Sequence, residues 1–115
     1  MYKKFGYALN GLKIVLTTQQ NFRIHMVAAC IVVTAGFVSG LSATEWCIIT
    51  TTIFLVLAME AVNTAIEKLV DFVSPAFHAQ AGAVKDISAG AVLLTAVGAV
   101  ITGIVIFLPR IWPGG

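Results

Sequence analysis

Four polar side chains, Glu60, Asn63, Glu67 and Asp71, follow a long apolar run in the sequence. Together with Thr64 they fall within an arc of about 100° on a helix, so they form one face. Carboxylates arranged this closely repel one another unless a cation or a proton lies between them. Oxygen ligands suit Mg²⁺ bound together with phosphate, so this polar stripe predicts phosphate chemistry. The alternative is a structural polar seam that pairs with basic residues of a neighbour.

The composition indicates what surrounds the stripe. Of the 115 residues, 59% are hydrophobic and 10% are charged, whereas a soluble domain carries about 25% charged residues. Such a chain cannot cover a surface that faces water. We therefore expect one integral membrane domain, residues 1–115. The net charge of +2 gives no reason to expect a nucleic-acid partner.

Three apolar segments are predicted to cross the membrane, residues 24–41, 46–71 and 87–108. A spanning helix needs about 20 residues, and the second segment is uncharged only as far as Met59. It is long enough only if it continues through Glu60. We therefore expect the Glu60 carboxylate at membrane depth, facing protein or water rather than lipid.

Residues 2–17 predict a different kind of helix. Phe5, Leu9, Leu12 and Leu16 share one helical face, and lysines occupy the rest. This pattern is typical of a helix that lies flat on the membrane surface. The alternative is a cytosolic helix packed on the bundle. The predicted fold class is an all-α membrane protein with an N-terminal amphipathic interfacial helix and three transmembrane helices.

Small residues in the spans indicate close helix packing. Gly36 and Gly40 form a G-x-x-x-G pattern in the first span, and the third span contains further glycines and alanines. Small residues let helices approach closely in lipid. Three spans make a thin bundle, so we expect a homo-oligomer that hides the polar stripe between its subunits.

The lysines and arginines predict the orientation. Most of them precede the first span or flank the second link, whereas residues 42–45 contain none. The positive-inside rule therefore predicts a cytoplasmic N-terminus and second link. Arg110 is the exception, and its alternative role is an interfacial anchor beside Trp112.

A second polar cluster precedes the third span. Lys85 and Asp86 are predicted on the same side of the membrane as Asp71. Lysine neutralises phosphate as a point charge, whereas Asp86 could simply be a favourable charge in the first helical turn. Together the two clusters predict a site that transfers phosphate from a soluble donor to a lipid. No G-x-x-x-x-G-K-[ST] loop is present, so any nucleotide site is unorthodox.

These motifs resemble a known family. E-A-V-N-T-A-I-E at 60–67, followed by Asp71, resembles the E-x-x-N-x-A-I-E-x-x-x-D signature of small prokaryotic integral membrane diacylglycerol kinases. A-V-K-D at 83–86 and A-G-A-V at 89–92 resemble the family's second motif. The resemblance implies a homotrimer in the bacterial inner membrane, with its active site open to the cytoplasm. It also implies transfer of the ATP γ-phosphate to a lipid alcohol, with Mg²⁺.

The resemblance implies a role for each site residue. Glu60 would be the general base on the lipid alcohol, with Asn63 beside it, and Glu67 would hold a metal that bridges the phosphates. The residues implied at the nucleotide are Tyr7, His78, Lys85 and Asp86. An ordinary loop histidine is the alternative for His78.

Two departures from the family pattern concern the lipid acceptor. Members that use diacylglycerol have a metal-sharing glutamate in the first span, where this chain has His25, and a serine where it has Ala89. Both features resemble the Gram-positive branch, whose members phosphorylate undecaprenol. The resemblance therefore implies undecaprenol rather than diacylglycerol, and it implies His25 as a further ligand of metal or phosphate. The alternative for His25 is an ordinary interfacial histidine.

Two other functions compete with a lipid kinase. A small membrane transporter could use one buried glutamate to bind cations or protons. It would have no need of Lys85 and Asp86 beside a cytoplasmic carboxylate stripe, and the chain has no inverted repeat. A structural subunit of a membrane complex is the third hypothesis, and it predicts that Glu60 tolerates replacement by glutamine.

Overall fold

The computed structural model describes residues 2–76 and 78–111, which form four helices. These are α1 (Tyr2–Thr18), α2 (Gln20–Ser39), α3 (Ala43–Val73) and α4 (Ala79–Ile111). Helices α2, α3 and α4 are each long and apolar enough to cross a membrane. The predicted fold class, an all-α membrane protein, is confirmed for the described residues. Trp112, the predicted neighbour of Arg110, lies outside them.

The helices begin earlier than the apolar segments do. Helix α4 starts at Ala79, whereas the predicted span starts at residue 87, and α2 starts at Gln20 rather than at residue 24. An apolar run marks where a helix enters lipid, and polar residues at the interface continue the same helix. Asp86 therefore lies well inside α4, and its interpretation as a first-turn charge is wrong.

The antiparallel pair of α3 and α4 has the most extensive contacts of any two helices. At one end Arg110 binds Glu45 with two bonds, Nη1 to Oε2 at 2.9 Å and Nη2 to Oε1 at 2.7 Å. At the other end Lys85 forms an ion pair with Asp71. About 25 residues separate the two ion pairs on either helix, or roughly 38 Å. The two helices therefore keep one register along their shared length.

Helix caps form the turn between α2 and α3. Gly40 adopts the left-handed conformation at φ 69°, and its backbone N–H bonds Gly36 O at 3.0 Å. Ser42 and Glu45 then form a capping box at the start of α3. The S-x-x-E pattern is a sequence signal for this helix start, which the sequence prediction did not use.

Gly36 has a packing role inside the chain. A Cβ at this position would lie 2.7 Å from Trp46 Cη2 and 3.0 Å from Leu41 Cδ1, closer than such atoms can approach. The Trp46 ring also packs on Phe37, with ring centroids 4.8 Å apart. The two glycines of the G-x-x-x-G pattern thus serve a tryptophan contact and a helix cap within the chain.

Helix α1 leaves its predicted apolar face uncovered. Phe5, Leu9, Leu12 and Leu16 are all exposed, and only Val15, near the C-terminal end, is buried. Arg23 donates hydrogen bonds to the last carbonyls of α1, which hold the joint between α1 and α2. This exposed face favours a position on the membrane surface over the alternative of a helix packed on the bundle.

The contact at Gly36 generates a stability prediction. Gly36→Ala should lower the free energy of unfolding by about 1–3 kcal/mol, because the new methyl group overpacks the Trp46 ring. Gly98→Ala is the matched control, since a Cβ at Gly98 meets no atom within 4 Å. Denaturant unfolding in detergent micelles measures both. Equal stability of the two variants would contradict this account of Gly36.

Candidate functional site

The buried face of α3 carries the polar stripe into the protein interior. Ile49, Val56, Glu60 and Thr64 are the buried residues of this helix, at spacings of about two turns and then one. Glu60 is 5% exposed and Thr64 is 3% exposed. The expected burial of Glu60 is therefore met, since the carboxylate faces protein rather than lipid.

His25 on α2 is a neighbour of Glu60. Its Nδ1 lies 3.2 Å from Glu60 Oε1, which brings α2 and α3 together at this level. The geometry does not make a hydrogen bond, and Nδ1 has no other partner within the part of the chain that the structure describes. The resemblance implies His25 as a ligand of metal or phosphate, which stays a prediction; the structure places its Nδ1 beside Glu60, the expected general base.

Thr64 is hydrogen-bonded to the backbone of Glu60. Its hydroxyl donates to Glu60 O at 2.9 Å, one turn back along the helix. This bond satisfies a hydroxyl that would otherwise be costly to bury. It engages the main chain of Glu60 and leaves the carboxylate free for a substrate.

Asn63 and Glu67 form the next layer towards Asp71. Asn63 Nδ2 donates to Glu67 Oε1 at 3.2 Å, and both side chains are half-buried. Asn63 Oδ1 is buried and has no hydrogen-bond partner among the described residues. A buried acceptor of this kind needs a partner, so the amide oxygen is suited to receive a ligand.

The oxygen atoms of this layer fit a magnesium ion. Carboxylate and amide oxygens are hard ligands, and Mg²⁺ commonly takes one or two carboxylates and completes its shell with water and phosphate. No group of three or more His, Cys, Asp or Glu side chains in the described ranges could hold a metal alone. The donor set at Asn63 and Glu67 therefore suits a metal that arrives with phosphate.

The ion pair of Asp71 and Lys85 lies at the open end of the stripe. Their side chains are 64% and 38% exposed respectively, so the pair is weak and can exchange partners. The sequence alternative for Asp71 was pairing with a basic residue of a neighbour, and Lys85 on the adjacent helix α4 is such a partner. Asp86 is exposed on the next position of α4.

His78 directly precedes helix α4 and caps its N-terminus. Its Nδ1 accepts a hydrogen bond from Gln80 N at 3.1 Å, and its carbonyl accepts one from Gly82 N at 3.0 Å. These are the bonds of a helix N-cap. With Nδ1 engaged, Nε2 is the atom that remains for a nucleotide. Tyr7, which was also predicted to contact the nucleotide, is exposed on α1.

Ser88 is a buried polar residue that the sequence prediction missed. It lies on α4, one turn beyond Lys85, and is 8% exposed. Because Lys85 faces Asp71, the antiparallel register puts Ser88 at the level of Glu67. A signal existed in the spacing of three residues between Lys85 and Ser88, which puts both on one helical face.

Comparison with known proteins gives a consistent class. Residues 6–107 match the family described as prokaryotic diacylglycerol kinase. The undecaprenol kinase of Bacillus subtilis is 42% identical over 110 residues, which cover 96% of this chain and 89% of that protein. The diacylglycerol kinase of Synechocystis is 42% identical over 106 residues, covering 91% and 61% respectively. The diacylglycerol kinase of Escherichia coli is 31% identical over 100 residues, covering 87% and 82%.

The layer at Asn63 generates a prediction about cations. Asn63→Asp should lower the melting temperature in EDTA, because a second carboxylate replaces the amide that donates to Glu67. Added Mg²⁺ should restore more stability to this variant than to the wild type. Thermal unfolding with and without Mg²⁺ measures the effect. Asn10→Asp, on the exposed α1, is the control, and an equal Mg²⁺ response in both variants would argue against a cation site here.

Proposed function

The chain belongs to the prokaryotic diacylglycerol kinase family, and from that membership we propose that it transfers the γ-phosphate of ATP to undecaprenol with Mg²⁺. The protein is a lipid kinase that takes phosphate from a nucleotide, and it is a multi-pass membrane protein. The transporter hypothesis is not favoured. ATP, Mg²⁺ and undecaprenol are the proposed parts.

The buried carboxylate of Glu60 is the observation that carries the mechanism. It is 5% exposed in an apolar surrounding and lies 3.2 Å from His25. A carboxylate with free acceptor positions can take the proton of an alcohol that reaches the same depth. A lipid brings its hydroxyl there from the bilayer, which a soluble acceptor cannot do.

The proposed reaction has one chemical step. Glu60 accepts the proton of the lipid hydroxyl as its oxygen attacks the γ-phosphorus of ATP, and the bond from that phosphorus to the bridging oxygen breaks. The products are a lipid phosphate and ADP, and the proton remains on Glu60 until water removes it. Phosphoryl transfer needs positioning and charge neutralisation more than covalent chemistry, which this polar site supplies.

Separate residues would hold the nucleotide and the metal. Glu67, with the free oxygen of Asn63, would hold Mg²⁺, which supplies charge neutralisation on the phosphates. Lys85 would leave Asp71 for a phosphate, because their exposed ion pair is weak. His78 Nε2, Tyr7 and Asp86 would contact the rest of the nucleotide. His25 would take its implied role through Nε2, because its Nδ1 faces Glu60.

The preference for undecaprenol rests on sequence features. His25 and Ala89 stand where diacylglycerol-using members carry glutamate and serine, and one of the relatives is named an undecaprenol kinase. An equally identical relative is named a diacylglycerol kinase, so identity alone does not decide the acceptor. The His25 contact with Glu60 supports the preference, because it gives this chain a different neighbour for the base.

We also propose the assembly and the orientation. The protein would be a homotrimer in the bacterial inner membrane, with its N-terminus and the open end of the site in the cytoplasm. Most of the apolar surface of α4 is uncovered in one chain. Lipid or further copies must cover that surface.

Phosphate transfer in lipid nanodiscs tests the acceptor. Labelled ATP would be offered with undecaprenol or with diacylglycerol, with and without Mg²⁺. We expect faster transfer to undecaprenol and none without Mg²⁺. A preference for diacylglycerol would reject the proposed acceptor but keep the lipid kinase. Transfer to neither lipid by folded protein would reject the proposed reaction.

Replacement of the proposed base gives the second test. Glu60→Gln should lower turnover by about 10²–10⁴-fold, because the amide cannot accept the proton. Thr51→Val, an equally isosteric change at an exposed position of the same helix, is the control. Turnover and circular dichroism of both variants would be compared. Full activity of folded Glu60→Gln would exclude Glu60 as the base.

A further inference from the structure

An apolar cavity of about 320 Å³ lies between α2, α3 and α4. Small side chains line much of it, among them Ala28 on α2 and Ala96, Ala99 and Gly103 on α4. The lining positions on α4 follow helical spacing, so they form a continuous shallow face. A Cβ added at Gly103 would meet no atom within 4 Å, which shows that this part of the cavity is open.

The cavity lies next to the proposed base, with His25 between them. His25 lines it and also contacts Glu60 Oε1 at 3.2 Å. Val56 lines it too, and lies one turn before Glu60 on the same buried face of α3. An alcohol whose hydroxyl reaches Glu60 therefore has the cavity directly in front of its apolar chain.

The cavity has a definite direction and length. It extends from His25 to Val32 on α2 and from Ala96 to Gly103 on α4, which is roughly 10 Å along either helix. The register of α3 and α4 puts Ala96 at the level of Glu60 and Gly103 further towards the Arg110 end. Gly103 thus lies at the far end from the reacting hydroxyl.

A second, larger cavity of about 820 Å³ lies on the other side of α2, below α1. The residue nearest to Glu60 in its lining is Ala61, which is turned about 100° away from Glu60 on the helix. Neither His25 nor Val56 lines it. The smaller cavity therefore has the more direct connection to the base.

We propose that the cavity between α2, α3 and α4 holds the isoprenoid chain next to the hydroxyl of the acceptor and selects a single-chain prenol over a two-chain lipid. This inference rests on the proposed function, because it assumes that the acceptor is a polyprenol. Three helices wall the cavity, so one chain fits along it, and the alanine and glycine positions leave room for methyl branches. A chain longer than the cavity must leave it at the level of Gly103.

Filling the far end of the cavity tests this assignment. Gly103→Leu should raise the KM for undecaprenol by about tenfold or more, because the new side chain occupies the path of the chain. It should affect geraniol much less, because the chain of this short prenol ends near residue 103 and does not pass it. Gly98→Leu is the matched control, since it makes the same change on α4 at an open position outside the cavity lining.

Binding gives a readout that does not depend on turnover. Undecaprenol should raise the melting temperature of the wild type and of Gly98→Leu, and this protection should be lost in Gly103→Leu. Ala99→Val is a milder filling variant that should give the same loss in part. These melts decide the assignment if geraniol is a poor substrate.

The other outcomes are distinguishable. Wild-type transfer to undecaprenol with equal KM and equal protection in Gly103→Leu and Gly98→Leu would overturn the cavity assignment but leave the proposed function intact. Wild-type transfer to diacylglycerol alone would reject the proposed function itself. Gly103→Leu could instead weaken the use of both prenols and change the oligomer size in gel filtration. The cavity would then be a contact surface for a second copy of the chain, which would also overturn the assignment.

Discussion

Lipid cannot solvate a charge, and this constraint explains most of the structure. A carboxylate at membrane depth is tolerated only where protein or water surrounds it. The α3–α4 pair meets this need, because the buried face of α3 carries Glu60 and Thr64 into the protein while the flanks stay apolar. Ion pairs mark both ends of the shared register, and the packing between the two helices maintains it. The Glu60 carboxylate is thus kept at one depth.

The sequence was sufficient for the features that follow from periodicity and length. The second span is too short without Glu60, so its burial could be predicted from counting alone. The polar stripe follows from helical spacing, and the capping residues at Ser42 and Glu45 were also legible. The start of α4 was not predicted, because hydropathy reports the lipid boundary and a helix can begin well before it. Family resemblance, rather than periodicity, supplied the roles of the individual residues.

Contacts between helices could not be predicted from one sequence. The approach of His25 to Glu60 depends on how α2 crosses α3, and neither residue's own helix determines that crossing. The partner of Asp71 depends on the register across the second link, where Lys85 lies 14 positions away. The fit of Trp46 against Gly36 depends on the tight turn at Gly40. Each of these contacts depends on tertiary packing, which local helix propensity does not determine.

The distance between the two ion pairs has a consequence for the surrounding bilayer. Pairs that are roughly 38 Å apart belong near the two headgroup regions of a membrane, whose hydrocarbon core is about 30 Å thick. Helix α2, with 20 residues, is matched to that core with little to spare. A thicker or thinner bilayer must therefore tilt the bundle or deform around it, which costs fractions of a kcal/mol per Å. Hydrophobic mismatch would also move the membrane surface relative to Glu60, so under the proposed function membrane thickness sets how deep an acceptor hydroxyl must sink to reach it.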